Sequence, residues 1–200
     1  MNSIEYIDLL SIQIIKTSIE GIDNDLFLKE MNETDLSIDE KFLDNKNHTY
    51  YEDQRYPFGK SESEKLIKKI TEKVVSILNK PMNLSEIWTL TLEYGQSVSI
   101  HSHKSNRFLD QTEYYSIAYY PKAPEGSADL IFDITACNTI EKSVSIKPES
   151  GSLIIFNSFL NHKTNRHNNK EEKRVVVSAN FHPENPRISF DQDWSAYHRK

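Results

Sequence analysis

The sequence predicts a mainly β protein with flanking helices, built as a sandwich or jelly roll. Three observations carry that prediction. From Ile87 onward the apolar residues fall in short runs of strand length, rich in Val, Ile, Tyr and Phe. Clusters of Gly, Pro, Asn and Ser separate the runs, as the turns of an all-β architecture require. One long stretch, residues 61–78, instead carries its apolar residues at the three-and-four spacing of an amphipathic helix.

The elements follow in order. Residues 11–19 partly alternate apolar and polar side chains and read as a strand, ended by Gly21 and the run Asp23-Asn24-Asp25. Residues 26–31 read as a short helix capped by the Asp or Asn before it. Residues 32–60 are polar, with His48 and several tyrosines among acids and amides, and read as a long irregular connection. Ser61 and Glu64 have the spacing of a capping box. Leu66, Ile67, Ile70, Val74, Ile77 and Leu78 then form one stripe, and Asn79-Lys80-Pro81 stops the helix. This helix is expected on the outside of the β core. Strands are expected at 87–94, 95–103, 114–120, 130–134, 142–146, 153–156 and 174–181. The domain reading is an N-terminal extension over 1–84, a β core over 85–182 and a tail over 183–200, one domain overall.

Composition narrows the partners. Lys and Arg total 24 against 30 Asp and Glu, a formal net charge of −6. A mildly acidic chain without a basic stripe grips a phosphate backbone poorly, so no nucleic-acid partner is expected. Cys137 is the single cysteine, which excludes a disulfide framework and suits a cytoplasmic protein. No apolar run approaches the roughly 18 residues of a membrane span, and the first residues lack the basic region of a signal peptide, so no membrane partner is expected.

Chemistry concentrates in two stretches. In residues 95–103, Val98 and Ile100 share one face of the expected strand, and Ser97, Ser99, His101 and His103 the other. Two His two apart on a strand point the same way, a geometry that chelates a metal. A third, His162, follows about sixty residues later at the end of the 153–156 strand region. In a jelly roll the two His-bearing strands can face one another across the barrel. On the last strand, Arg174, Val176, Ser178 and Asn180 share a face. An Arg there either faces solvent or has an anionic partner.

In combination these residues resemble the iron(II)- and 2-oxoglutarate-dependent oxygenases, especially the prolyl-hydroxylase-like and bacterial or phage branches. The family pattern is His-x-Asp or a variant, a distal His, and an Arg with a hydroxyl residue four further on. Here these fall at His101-x-His103, His162, and Arg174 with Ser178. The strand Tyr115-Ser116-Ile117-Ala118-Tyr119-Tyr120 resembles the family strand that ends in a Tyr, and Gly151-Ser152-Leu153-Ile154-Ile155-Phe156 resembles the strand leading to the distal His. The resemblance covers roughly residues 85–182.

The resemblance implies a double-stranded β-helix, cupin-like in outline, and Fe(II) on His101, His103 and His162. It implies that 2-oxoglutarate pairs its far carboxylate with Arg174, assisted by Ser178 and Tyr120. Dioxygen and a small-molecule or peptidyl substrate would complete a hydroxylation that converts 2-oxoglutarate to succinate. One position departs from the pattern. The usual triad is two His and a carboxylate, and a His at 103 leaves the site one charge more positive, with Asp110 and Glu113 near enough in sequence to supply a carboxylate. Two other readings fit parts of the pattern. A cupin-type isomerase or dioxygenase also uses His-x-His after a Gly, but Asn106 and Arg107 stand where its Glu belongs. A non-catalytic β-sandwich would hold the same histidines as ordinary polar residues.

Overall fold

The structure is a computed structural model, which describes residues 12–34, 56–104, 111–136 and 139–185. The element order is β1 (Ile14–Ser18), α1 (Asn24–Glu33), α2 (Ser61–Leu78), β2 (Met82–Leu92), a 3-10 turn (Gln111–Glu113), β3 (Tyr115–Lys122), β4 (Leu130–Ala136), β5 (Thr139–Ile146), β6 (Ser152–Asn157), β7 (His162–Thr164) and β8 (Arg174–Pro183). They form two sheets, a five-stranded one in the order β1-β6-β3-β8-β2 and a three-stranded one in the order β5-β4-β7. Every pairing is antiparallel. This is the jelly roll that the spacing of the strands predicts.

Alternation divides the five-stranded sheet into two apolar faces. One carries Ile117, Tyr119, Leu153, Ile155, Val177, Ala179 and Phe181, and is covered by Phe27 of α1 and by Leu66, Ile70 and Val74 of α2. At roughly 1.5–3 kcal/mol for each fully buried aliphatic side chain, this layer is a large share of the folding energy. The other face carries Ala118, Tyr120, Ile154, Phe156 and Val176, packed against Leu130 and Phe132 of the smaller sheet. That inner layer holds the candidate site.

The start of α2 departs from the capping-box expectation. Its N-cap is Lys60, which makes no side-chain cap bond. The amide hydrogens are taken up by Glu30 of α1, whose carboxylate accepts from the Glu62 and Ser63 amides and the Ser61 and Ser63 hydroxyls, at 2.8–3.1 Å. Burial works against an ionised Glu30, but these hydrogen bonds outweigh it and hold the carboxyl below its usual range. A cap supplied by a distant residue leaves no local sequence signal. At the far end Asn79 adopts φ +50, the left-handed conformation that terminates a helix.

Two further expectations are corrected. Residues 95–103 do not form a regular strand: they make an isolated bridge between His101 and His162 and scattered backbone bonds to either side of it, such as the Thr164 amide to the Val98 carbonyl at 3.0 Å. The reason is the brevity of the partner: β7 has three residues, and Val98 donates its amide to the Thr164 hydroxyl instead of a backbone carbonyl. Ile100, expected on one face with Val98, is exposed, whereas Val98 is buried. His162 does not end β6 either. The chain turns at residues 158–160, and His162 begins β7 in the other sheet. The His-bearing segments are therefore neighbours and do not face one another across the barrel.

Candidate active site

His101, His103 and His162 come together. Each offers one ring nitrogen, and the three lie within 4.8 Å of one another. The ring centroids are 4.2 Å apart for His101 and His162, and 5.0 Å for each ring against His103. The backbone brings them together: His101 and His162 exchange both amide bonds, at 2.9 and 2.8 Å, and His103 donates its amide to the Ser158 carbonyl at 2.8 Å.

The inward nitrogens can be identified from the others. His101 Nδ1 sits 2.9 Å from the Ser99 carbonyl and His162 Nδ1 2.9 Å from the Leu160 carbonyl. A carbonyl only accepts, so each Nδ1 carries a hydrogen, and in the neutral ring the lone pair then falls to Nε2. His103 Nδ1 lies 2.9 Å from Asn180 Oδ1, with the same consequence. Burial, then the nearby His101 and His103, push the His162 imidazole down to about 3 against the opposing Leu160 carbonyl. His103 is also held below the ordinary range, by burial first, while Asn180 and Glu86 act the other way. The lowered values of His103 and His162 favour the neutral imidazole, the form that ligates a divalent ion.

Arg174 occupies the same inner layer from β8. It is 2% exposed, and its Nη2 donates to the Tyr120 hydroxyl at 3.2 Å, with the guanidinium carbon 4.9 Å from the Tyr120 ring centroid. Among the described residues Nε and Nη1 have no hydrogen-bond partner. A buried guanidinium with two nitrogens unpaired is costly until an anion reaches it, and its planar fork fits a carboxylate. Ser178 shares the strand face of Arg174 and pairs with Ala118 and Trp88 on the flanking strands.

The carboxylates considered from sequence do not join the cluster. Glu113 pairs with Lys80 at 3.5 Å, and Asp110 lies outside the described residues, as does His48. Among the described residues no carboxylate stands with the three imidazoles. Four residues without a role in the sequence reading surround His103: Trp88, its ring 5.3 Å away, and Ser116, Asn180 and Glu86. The register sets them side by side, Glu86 and Ser116 both opposite Asn180, and Trp88 opposite Ser178. The face-sharing of 174, 176, 178 and 180 was readable from alternation, but the partner strands of that face were not.

The family model described as "Putative 2OG-Fe(II) oxygenase" matches residues 86–180, the span that contains all of these side chains. Over that span the chain carries the pattern of the iron(II)- and 2-oxoglutarate-dependent oxygenase superfamily. Among solved structures the chain is similar to HygX from Streptomyces hygroscopicus with nickel and 2-oxoglutarate bound, at TM-score 0.60 and 14% identity over 86% of this chain and 82% of that one. It is also similar to SnoN, an α-ketoglutarate-dependent epimerase of nogalamycin biosynthesis, at TM-score 0.51 and 12% identity over 62% of this chain and 57% of that one. A third is SnoK, a carbocyclase of the same biosynthesis, at TM-score 0.52 and 8% identity over 68% of this chain and 66% of that one. The chain thus spans little more than half of SnoN, and at such identities the likeness is one of fold. No curated protein matches the sequence. The superfamily uses iron(II), 2-oxoglutarate and dioxygen, and no helix of the described residues is long and apolar enough to cross a membrane.

Proposed function

We propose that the protein hydroxylates a small-molecule or peptidyl substrate while 2-oxoglutarate is decarboxylated to succinate. In this reading His101, His103 and His162 hold iron(II), and Arg174, with Tyr120 and Ser178, holds the far carboxylate of 2-oxoglutarate. The observation that supports it is the pairing, in one inner layer, of three converging imidazoles with a buried guanidinium that has no anionic partner among the described residues. The donor set fits a divalent ion with open positions, and the Arg174 fork fits a dicarboxylate. A cupin without a 2-oxo acid co-substrate leaves that guanidinium unexplained, and a non-catalytic sandwich leaves both features unexplained.

When bound, iron(II) supplies the redox chemistry by which dioxygen oxidises 2-oxoglutarate to succinate and carbon dioxide and inserts one oxygen atom into the substrate. The chain's own residues prepare that chemistry. The Ser99 and Leu160 carbonyls and Asn180 orient the three rings. Arg174 fixes the co-substrate's direction by a two-bond contact, with the Tyr120 hydroxyl keeping the guanidinium plane in place. Phe132, Phe156 and Leu160 keep water from the His162 side of the cluster.

The test is anaerobic addition of iron(II) and then 2-oxoglutarate to the metal-free protein. A weak visible charge-transfer band that requires both, and is absent in His162→Ala, is expected. On admission of air the same sample should form succinate. A protein that gains no band and forms no succinate refutes the assignment.

A further inference from the structure

The three imidazoles are not held alike. His101 and His162 each donate Nδ1–H to the carbonyl two residues earlier, at 2.9 Å in both cases, so the backbone fixes their tautomer. His103 depends on side chains. Its Nδ1 meets Asn180 Oδ1 at 2.9 Å and lies 3.2 Å from Ser116 Oγ. An amide has an accepting end and a donating end, and either could in principle face the imidazole. If the amine end did so, His103 would have to accept at Nδ1 and carry its hydrogen on Nε2, where it could ligate nothing.

The other end of Asn180 settles which way it points. Asn180 Nδ2 donates to Glu86 Oε2 at 2.8 Å. A carboxylate only accepts, so reversing the amide would set two oxygens against each other. Ser116 Oγ, 2.8 Å from Asn180 Oδ1 and 2.9 Å from Ser158 Oγ, completes the row. The arrangement is built by register: Glu86 and Ser116 flank Asn180 on the two neighbouring strands.

We infer that Glu86 is a positioning residue for the metal centre: through Asn180 it fixes His103 in the tautomer that leaves Nε2 free, and it brings a carboxylate's charge to a ligand set that contains none. This rests on the three-histidine reading above. A carboxylate linked to a ligating imidazole raises the basicity of that ligand, and loss of such partners typically costs 10- to 100-fold in metal affinity. Glu86 is exposed, so its replacement tests the relay without emptying the core.

The experiment is a cobalt(II) titration of the metal-free full chain, followed by the visible absorption of the bound ion, with thermal unfolding of the same samples. For Glu86→Gln the expected result is a 10- to 100-fold weaker affinity with the unfolding temperature of the metal-free protein unchanged, because the new amide accepts or donates and no longer orients Asn180. The double variant E86Q/N180D reverses the relay. The introduced amide donates to the introduced carboxylate, which accepts from His103, and affinity should return to the wild-type range. Imidazole nitrogen chemical shifts of the metal-free protein should show the His103 Nδ1–H tautomer in the wild type and the double variant, and a mixture in Glu86→Gln. Wild-type affinity in Glu86→Gln, or no recovery in the double variant, overturns the relay while leaving the metal site standing. A wild type that binds no cobalt(II) overturns the metal site, and the relay with it.

Discussion

Replacing Arg174 by Met should strengthen the fold and abolish co-substrate binding at once. The guanidinium is 2% exposed, and its Nε and Nη1 lack partners among the described residues. Each buried polar group left in that state costs about 1–3 kcal/mol, and exchanging a poorly compensated buried ion for an apolar side chain of similar length typically gains about 1–4 kcal/mol. A gain of about 2 kcal/mol, at about 2–4 °C per kcal/mol for a chain of this size, raises the unfolding temperature of the co-substrate-free protein by about 4–8 °C. In the other direction, 2-oxoglutarate would lose its anchor at a cost on the order of 3–5 kcal/mol, or two to four decades in affinity. Differential scanning calorimetry without ligand gives the first quantity. Calorimetric titration of 2-oxoglutarate into nickel(II)-loaded protein gives the second. A variant that is less stable than wild type without ligand, or that binds 2-oxoglutarate as wild type does, refutes the idea that Arg174 is a charge awaiting an anion.

Other expectations follow from the same contacts. The folded-state pKa of His162 is depressed to about 3 against about 6.5 when unfolded. Above 6.5 neither state takes the proton; below it only the unfolded chain does, so metal-free stability falls with acidification, by about 2 kcal/mol from this residue between pH 6.5 and 5. Urea unfolding of wild type against His162→Leu isolates that contribution, and equal pH slopes in the two proteins would contradict it. Glu30→Gln should cost about 2–4 kcal/mol in urea unfolding, because an amide cannot accept all four hydrogen bonds that the carboxylate takes. Since the Glu30 carboxyl is held low, its contribution is present above the unfolded pKa and disappears as pH falls through the folded one.

The strands were legible because both apolar faces of the large sheet force long runs such as Leu153, Ile154, Ile155 and Phe156, all buried. Helix α2 was legible from its stripe, and Leu66, Ile70 and Val74 are indeed its buried apolar residues. Its cap was not, because Glu30 reaches it from 31–33 residues away. The three histidines and Arg174 could be picked out as a combination of residue types at compatible faces. The tautomer-setting partners of His103 could not, since Glu86, Ser116 and Asn180 meet only through the register of three strands, one of which carries a bulge between Leu84 and Glu86. A regular strand at 95–103 was the wrong inference from the alternation: the segment turns at Gly95, bends at Ile100 and faces a three-residue strand too short to make a ladder with it.

The turn at residues 158–160 carries the chain from the large sheet to the small one. His162 is anchored on the small sheet opposite Phe132, whereas His103 is tied to Asn180 and Ser116 of the large sheet. An ion held by both would be a cross-link between the two halves of the jelly roll, with the whole span from 103 to 162 closed into a loop beneath it. Prying the sheets apart would then require stripping a ligand from the ion, so loading the centre would also close the clamshell.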